Sequence, residues 1–272
     1  MSRPPILLHT VAALREQIRG WREAGDTLGL VPTMGALHAG HVSLVDLARA
    51  RASRCVVTIF VNPAQFSPAE DLAKYPRTLA AAMEKVAAAG ADAVFAPAVG
   101  DIYPAGFCTS VSLQGPAAAG LEDKFRPTHF SGMATVVTKL FIQATPDLAV
   151  FGEKDFQQVC VVRQLTRDLD LPIEIVAAPT LREPDGLAMS SRNANLTAAD
   201  RATAPALHRA MLAAAARMLA GDAVATALDA ARADISRAGF ALDYLELRDA
   251  ASLAPAAISR AALRMACSRP SR

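Results

Sequence analysis
His38 and His41 stand three residues apart at the end of the run Val31-Pro32-Thr33-Met34-Gly35-Ala36-Leu37-His38-Ala39-Gly40-His41. If a helix begins there, that spacing puts both imidazoles on one face of its first turn. The N–H groups and positive dipole end of a helix start attract phosphate, and imidazoles can donate hydrogen bonds to an oxyanion as negative charge builds up. Gly35 and Gly40 permit tight turns and let backbone approach a ligand closely. Phosphate handling is the chemistry suggested, although a polar helix cap has the same spacing. Three other polar runs could join it. In Asn62-Pro63-Ala64-Gln65-Phe66, the Asn62 and Gln65 amides both donate and accept, which suits a hydroxyl or a carboxylate; a turn with solvated amides fits equally. In Gly152-Glu153-Lys154-Asp155, followed by Gln157 and Gln158, Lys154 can neutralise phosphate and Asp155 can hold ribose or a cation. A charged surface turn would look the same. In Met189-Ser190-Ser191-Arg192-Asn193, hydroxyls and a guanidinium suit departing phosphates, but the triplet alone carries little specificity.

The elements around these runs alternate. Leu28 to Val31 reads as a buried strand that Pro32 ends, because proline cannot donate to a ladder. Val42, Leu44, Val45, Leu47 and Ala48 then recur at helical spacing. Before them, Val11, Leu14, Ile18 and Trp21 make a helix capped by Thr10 and stopped at Gly25. Cys55 to Val61 is a continuous β-branched run, as expected of a parallel strand covered on both faces. Thr78 to Ala89 is helical up to Gly90, Ala93 to Ala96 is a strand, and Thr109 to Leu113 is a peripheral strand. Gly132 to Gln143 is a helix, Leu148 to Phe151 a strand, Phe156 to Leu169 a helix, and Ile173 to Ala177 the last strand. This pattern predicts an α/β fold with a Rossmann-like parallel sheet. All four polar runs are read as leaving the carboxyl ends of strands, where ligands bind in such sheets. After Pro179 the pattern changes: a long Ala-rich helix from Thr197 to about Gly221, a helix from Val224 to Ala238, and a half-exposed strand from Leu242 to Leu247. The expected division is 1–180 for a sheet domain and 181–272 for a smaller C-terminal α+β domain carrying the Met189–Arg192 loop.

Composition narrows the function classes. With 52% hydrophobic and 20% charged residues, 272 residues can bury a substantial core. A net charge of +2 without basic runs argues against general nucleic-acid binding. Cys55, Cys108, Cys160 and Cys267 are scattered without zinc spacing, and Cys55 and Cys160 read as core residues. The first residues lack the apolar stretch of a signal peptide, and no run is long enough to span a bilayer. A cytoplasmic protein is expected.

A strand, the His-Ala-Gly-His turn, a helix and a distant Met-Ser-Ser-Arg loop resemble the nucleotidyltransferases and class I aminoacyl-tRNA synthetases. There the two loops grip the ATP phosphates from opposite sides. No anticodon-binding domain or basic face accompanies them here. In the stretches VPTMGALHAGH, TIFVNPAQF, DLAKYPRT, FAPAVGDIYP, RPTHFSGMATVVTKLF, FGEKDFQQ and DGLAMSSRN, the chain closely resembles the pantoate–β-alanine ligase family. That resemblance implies attack of the pantoate carboxylate on the α-phosphorus of ATP, giving pantoyl adenylate and pyrophosphate. The amine of β-alanine then displaces AMP. Carried over by position, it implies an ATP site of Met34, Gly35, Ala36, Leu37, His38, Ala39, Gly40 and His41. Gly152, Glu153, Lys154, Asp155, Leu181, Met189, Ser190, Ser191 and Arg192 complete it. His41 is the implied proton donor, and His38, His41, Lys154 and Arg192 are expected to supply positive charge at the reacting phosphorus. Gln65, Gln158 and Asn62 would bind pantoate and β-alanine, and a homodimer is implied. Another small-substrate nucleotidyltransferase or a non-catalytic nucleotide sensor are the competing readings. Three departures from the family pattern stand out. Leu79 to Ala82 replaces acidic residues, so Mg²⁺ is expected to ride mainly on ATP phosphates. Asp123 and Thr128 replace glycines. Beyond Leu263-Arg264-Met265 the chain reads Cys267 to Arg272 where relatives have another apolar strand, so 267–272 are expected to be poorly ordered.

Overall fold
The computed structural model describes residues 4–66, 72, 75–76 and 78–256, together with the backbone of 263–267. The strands are β1 (Ile6–Leu8), β2 (Leu28–Thr33), β3 (Arg54–Ile59), β4 (Ala93–Phe95), β5 (Leu148–Gly152), β6 (Glu174–Ala178), β7 (Leu245–Asp249) and β8 (Leu263–Cys267). The helices are α1 (Val11–Glu23), α2 (Ala39–Arg49), α3 (Leu79–Ala88), α4 (Val99–Ile102) and α5 (Glu122–Phe125). They continue with α6 (His129–Ala144), α7 (Phe156–Asp168), α8 (Ala198–Thr203), α9 (Ala206–Leu219) and α10 (Val224–Arg237). Two compact units form, Met1–Ala117 with Arg126–Leu181, and Ala118–Phe125 with Arg182–Arg272.

In the first unit, six strands pair in the order β1-β4-β3-β2-β5-β6, every described ladder parallel. Successive residues of a strand point to opposite faces. Leu30 and Val56 join the core on one face, while Val31, Cys55 and Val57 join the core on the other. That double burial is why these strands read as unbroken apolar runs. Burial also pushes the Cys55 thiol up to about 12, which keeps it an inert core group.

Several boundaries differ from the sequence expectation for identifiable reasons. β1 escapes periodicity because it is a three-residue edge strand whose Ile6 and Leu7 are exposed. Pro32 does not end β2; it pairs with Thr58 in the ladder register. The Phe60 N–H donates to the Thr33 carbonyl, so Thr33 faces β3 and Pro32, one residue earlier, faces the β5 side. There the β5 pairing covers only Gly29 and Leu30, so the missing N–H breaks no ladder bond. β3 stops at Ile59, leaving Phe60 and Val61 outside it. Thr109–Leu113 forms no ladder among the described residues. It is tied to α6 by side chains instead: the Val111 N–H donates to Thr135 Oγ1 at 2.9 Å, and Ser131 Oγ donates to the Val111 carbonyl at 3.1 Å.

In the second unit, the expected long helix is two, α8 and α9, with Pro205 at the N-cap of α9. Proline has no N–H to offer the preceding turn, so the ladder is interrupted there. Ala210, Ala214 and Met218 of α9 share a core with Ala227, Leu228, Ala231 and Ile235 of α10 and with Leu245 and Leu247 of β7. Ala118–Phe125 groups here although the sequence leaves it in the sheet domain. The buried Arg248 donates to the Ala119 carbonyl at 3.2 Å, and the Phe125 ring stacks on Tyr244 with centroids 5.9 Å apart. β7 and β8 pair antiparallel, with Cys267 opposite Leu245. Cys267 therefore ends a ladder rather than beginning a loose tail, and the expectation for 268–272 lies outside the described residues.

Candidate functional site
From β2 the chain proceeds to β3 on one side, whereas from β5 it proceeds to β6 on the other. The loops leaving the carboxyl ends of β2 and β5 therefore diverge, and this switch point is where open parallel sheets bind ligands. It brings together Met34–His41 from β2 and Gly152–Asp155 from β5.

The β2 loop is built as a rigid turn. Gly35 (φ 88°) and Ala36 (φ 50°) both occupy left-handed backbone, and a Cβ on Gly35 would lie 3.2 Å from an Ile59 methyl group. Thr33 Oγ1 accepts from the Gly35 N–H at 3.2 Å and donates to the Thr58 carbonyl at 2.6 Å, pinning the turn to β3. Carbonyls are held from outside: Tyr75 Oη donates to Gly35 O at 3.3 Å and Lys85 Nζ to Leu37 O at 2.5 Å. His38 then caps α2.

The two imidazoles have a defined tautomer. The Gly40 N–H donates to His38 Nδ1 at 3.1 Å, and the His38 N–H donates to His41 Nδ1 at 3.3 Å. A backbone N–H can only donate, so each Nδ1 is an acceptor and each ring carries its hydrogen on Nε2. The ring centroids lie 4.1 Å apart. Burial, then the neighbouring His38 and Lys154, hold His41 down at about 3. Burial, then Lys154 and Lys85, hold His38 below its ordinary value as well. Both rings are thus neutral near pH 7. This corrects the expectation that they supply positive charge: they offer N–H dipoles, and net charge comes from Lys154 and Lys85. Lys154 is paired with Asp155 at 3.0 Å, and Asp155 acts on both imidazoles in the opposite sense.

The loop leaving β3 presents Gln65 on a 3₁₀ turn, Pro63–Gln65. Asn62 is buried and fully engaged. Its Nδ2 donates to Gln65 Oε1 at 3.1 Å and to Gly132 O at 3.0 Å, while its Oδ1 accepts from the Ala64 N–H at 3.3 Å and from Tyr103 Oη at 2.7 Å. Asn62, expected as a substrate ligand, has spent its hydrogen-bonding capacity on orienting Gln65. The carbonyl of Gln65 is held by His129 Nδ1 at 3.1 Å and Arg126 Nη2 at 3.4 Å. Gly132 on α6 is what lets the turn seat: a Cβ there would fall 2.0 Å from the Ala64 carbonyl oxygen. On α7 the neighbouring glutamines divide. Gln157 is buried and donates to Pro116 O at 2.9 Å, and Gln158 is half-buried.

The second unit holds its own loop in shape. Arg182 and Ala188 form a β-bridge across a turn at Gly186 (φ 92°), and Asp185 is anchored to Arg201 at 2.5 Å. Ser190 Oγ accepts from the Arg192 N–H at 3.3 Å, and Asn193 Nδ2 donates to Ala188 O at 3.0 Å. Met189, Ser190, Ser191 and Arg192 are half-buried, while Leu181 is exposed and belongs to the first unit. Lys85, Tyr103, Gly132, His129 and Asn193 escaped the residue-by-residue reading. Tyr103, Gly132, His129 and Asn193 lie in stretches that match the family, whereas Lys85 is a lone lysine on an Ala-rich helix with nothing to mark it.

The family model for pantoate-beta-alanine ligase matches residues 6–269. A pantothenate synthetase of Mesorhizobium japonicum is 57% identical over 256 residues, covering 94% of this chain and 90% of that protein. Among solved structures, a pantothenate synthetase from Thermus thermophilus superposes with a TM-score of 0.91 at 44% identity, over 96% of this chain and 93% of that one. The pantoate-beta-alanine ligase of Francisella tularensis, solved with beta-gamma ATP and beta-alanine, gives 0.79 at 36% identity, over 89% of each chain.

Proposed function
The chain belongs to the pantoate–β-alanine ligase family and condenses pantoate with β-alanine to pantothenate at the expense of ATP; we propose that adenylation takes place at the crevice between the β2 and β5 loops. The observation that carries this reading is the pair of neutral imidazoles whose Nε2–H groups are the donors left, beside Lys154. A pantoate carboxylate oxygen attacks the α-phosphorus, and the bond from that phosphorus to pyrophosphate breaks. His38 and His41 donate to phosphate oxygens as charge accumulates, and Lys154 releases Asp155 to face the phosphates. Such preorganised donors are usually the largest catalytic contribution. The β-alanine nitrogen then attacks the acyl carbon and AMP departs with the oxygen that pantoate supplied.

Gln65 and Gln158 hold pantoate in this reading, which turns a bimolecular encounter into an oriented one. Met34–His41 and Gly152–Asp155 of the first unit cradle ATP; Leu181 and Met189–Arg192 are the further nucleotide ligands that membership of the family implies. Arg192 is half-buried as a residue, and no ion pair engages it among the described residues. Mg²⁺ comes with the phosphates. No three His, Cys, Asp or Glu side chains gather as a metal group among the described residues. Asp155 is the carboxylate that would add to an ion already held by phosphate and water. A cytoplasmic homodimer is the proposed setting; no described helix is long and apolar enough to cross a membrane. Purified protein given ATP, Mg²⁺ and pantoate should form pyrophosphate, and added β-alanine should release AMP and pantothenate. AMP release indifferent to β-alanine would sink the ligase assignment.

A further inference from the structure
We propose that Tyr103 is a positioning residue for pantoate, fixing Gln65 through Asn62 so that Gln65 offers the substrate its amide N–H₂ and not its carbonyl. The inference rests on Gln65 being the residue that holds pantoate. Its starting point is two backbone groups of fixed polarity. The Ala64 N–H can only donate and the Gly132 carbonyl can only accept, so the Asn62 amide has one possible orientation, with Oδ1 toward Ala64 and Nδ2 toward Gly132. The second Nδ2 hydrogen then goes to Gln65 Oε1 at 3.1 Å. With its oxygen occupied, Gln65 has Nε2 left for a ligand, and no described residue accepts from it. Pantoate must therefore bring an acceptor oxygen to this subsite.

Tyr103 supplies the shortest contact to the Asn62 amide, 2.7 Å from Oη to Oδ1, against 3.3 Å from the Ala64 N–H. Since Oδ1 only accepts, the hydroxyl donates. Burial pushes the Tyr103 phenol up to about 12, so the donor stays protonated at any working pH. The ring is fixed independently, packed against Phe60 at 6.1 Å and Phe107 at 5.1 Å between centroids. Removing the hydroxyl alone should therefore loosen Asn62 without moving the ring. The polarity runs Tyr103 O–H to Asn62, Asn62 N–H to Gln65, Gln65 N–H to substrate, and successive donors in such a chain strengthen one another.

The test is a double-mutant cycle read in pantoate and ATP KM. Tyr103→Phe should raise the pantoate KM roughly three- to tenfold, as expected for one buried hydrogen bond, with ATP KM unchanged. In a Gln65→Ala background the same substitution should leave pantoate KM unchanged, because residues acting through one another are not additive. Gln65→Glu keeps the acceptor that Asn62 needs but turns an oxygen toward pantoate, and should weaken pantoate more than Gln65→Ala does. Equal effects of Tyr103→Phe with and without Gln65, a parallel rise in ATP KM, no change at all, or near-normal pantoate KM in Gln65→Glu would each overturn the proposal. If Gln65→Ala leaves pantoate KM untouched, the assignment of Gln65 to pantoate fails, a result separable from failure of Tyr103 alone.

Discussion
His41 can donate to phosphate because its other nitrogen is already committed to the His38 N–H and its environment forbids a second proton. Its folded value of about 3 lies below the ordinary 6.5. The folded protein thus binds this proton more weakly than the unfolded chain does. Stability from this group is complete above about 6.5 and drains away as pH falls toward 3. In the ligand-free protein the His41 imidazole resonance should stay flat from pH 8 to about 5 by NMR, and a midpoint near 6.5 would show a solvated ring. His41→Ala should slow single-turnover pyrophosphate formation by roughly 10²–10³, the usual loss for one oxyanion donor, while ATP binding weakens much less. Near-normal turnover would reduce His41 to a helix cap.

The strands and helices that carry these residues were legible in sequence wherever burial is one-sided along a helix or complete along a strand. Leu28–Val31 and, but for Thr58, Cys55–Ile59 are apolar because both sheet faces are covered, and Thr10 and Gly25 mark the ends of α1 as side-chain cap and left-handed turn. What stayed hidden depends on contacts between distant segments. Pro32 is harmless only because β5 has already stopped pairing with β2, and Asn62 became a scaffold only when α6 delivered the Gly132 carbonyl. The His-Ala-Gly-His turn was visible; the neutrality of its rings was not, since it comes first from burial and then from Lys154 and Lys85, which arrive from the β5 loop and α3. Gly132 tests this level. Gly132→Ala would drive a methyl group into the Ala64 carbonyl. It should cost roughly 1–3 kcal/mol of stability by denaturant titration, the usual range for overpacking, and displace the turn that bears Gln65. Pantoate KM should rise with it. Unchanged stability together with unchanged pantoate KM would mean that α6 and the turn are not held against each other.

At the scale of the molecule, the parallel sheet supplies a divergent pair of loops and the second unit supplies a shaped Ser-Ser-Arg loop, each rigidified by its own hydrogen bonds. The metal belongs to this scale because the nucleotide, not a cluster of side chains, is its proposed seat. Calorimetry should find weak Mg²⁺ binding to the nucleotide-free protein and strong binding once ATP is present; tight binding without nucleotide would contradict it. The central claim, that pantoate's own carboxylate attacks the α-phosphorus at this site, has a direct readout in oxygen transfer. Pantoate labelled with ¹⁸O in its carboxylate should be turned over with ATP, Mg²⁺ and β-alanine, and the AMP analysed by mass spectrometry. The account predicts a single labelled oxygen in the phosphoryl group of AMP, with the other retained in the pantothenate amide. Unlabelled AMP would contradict it.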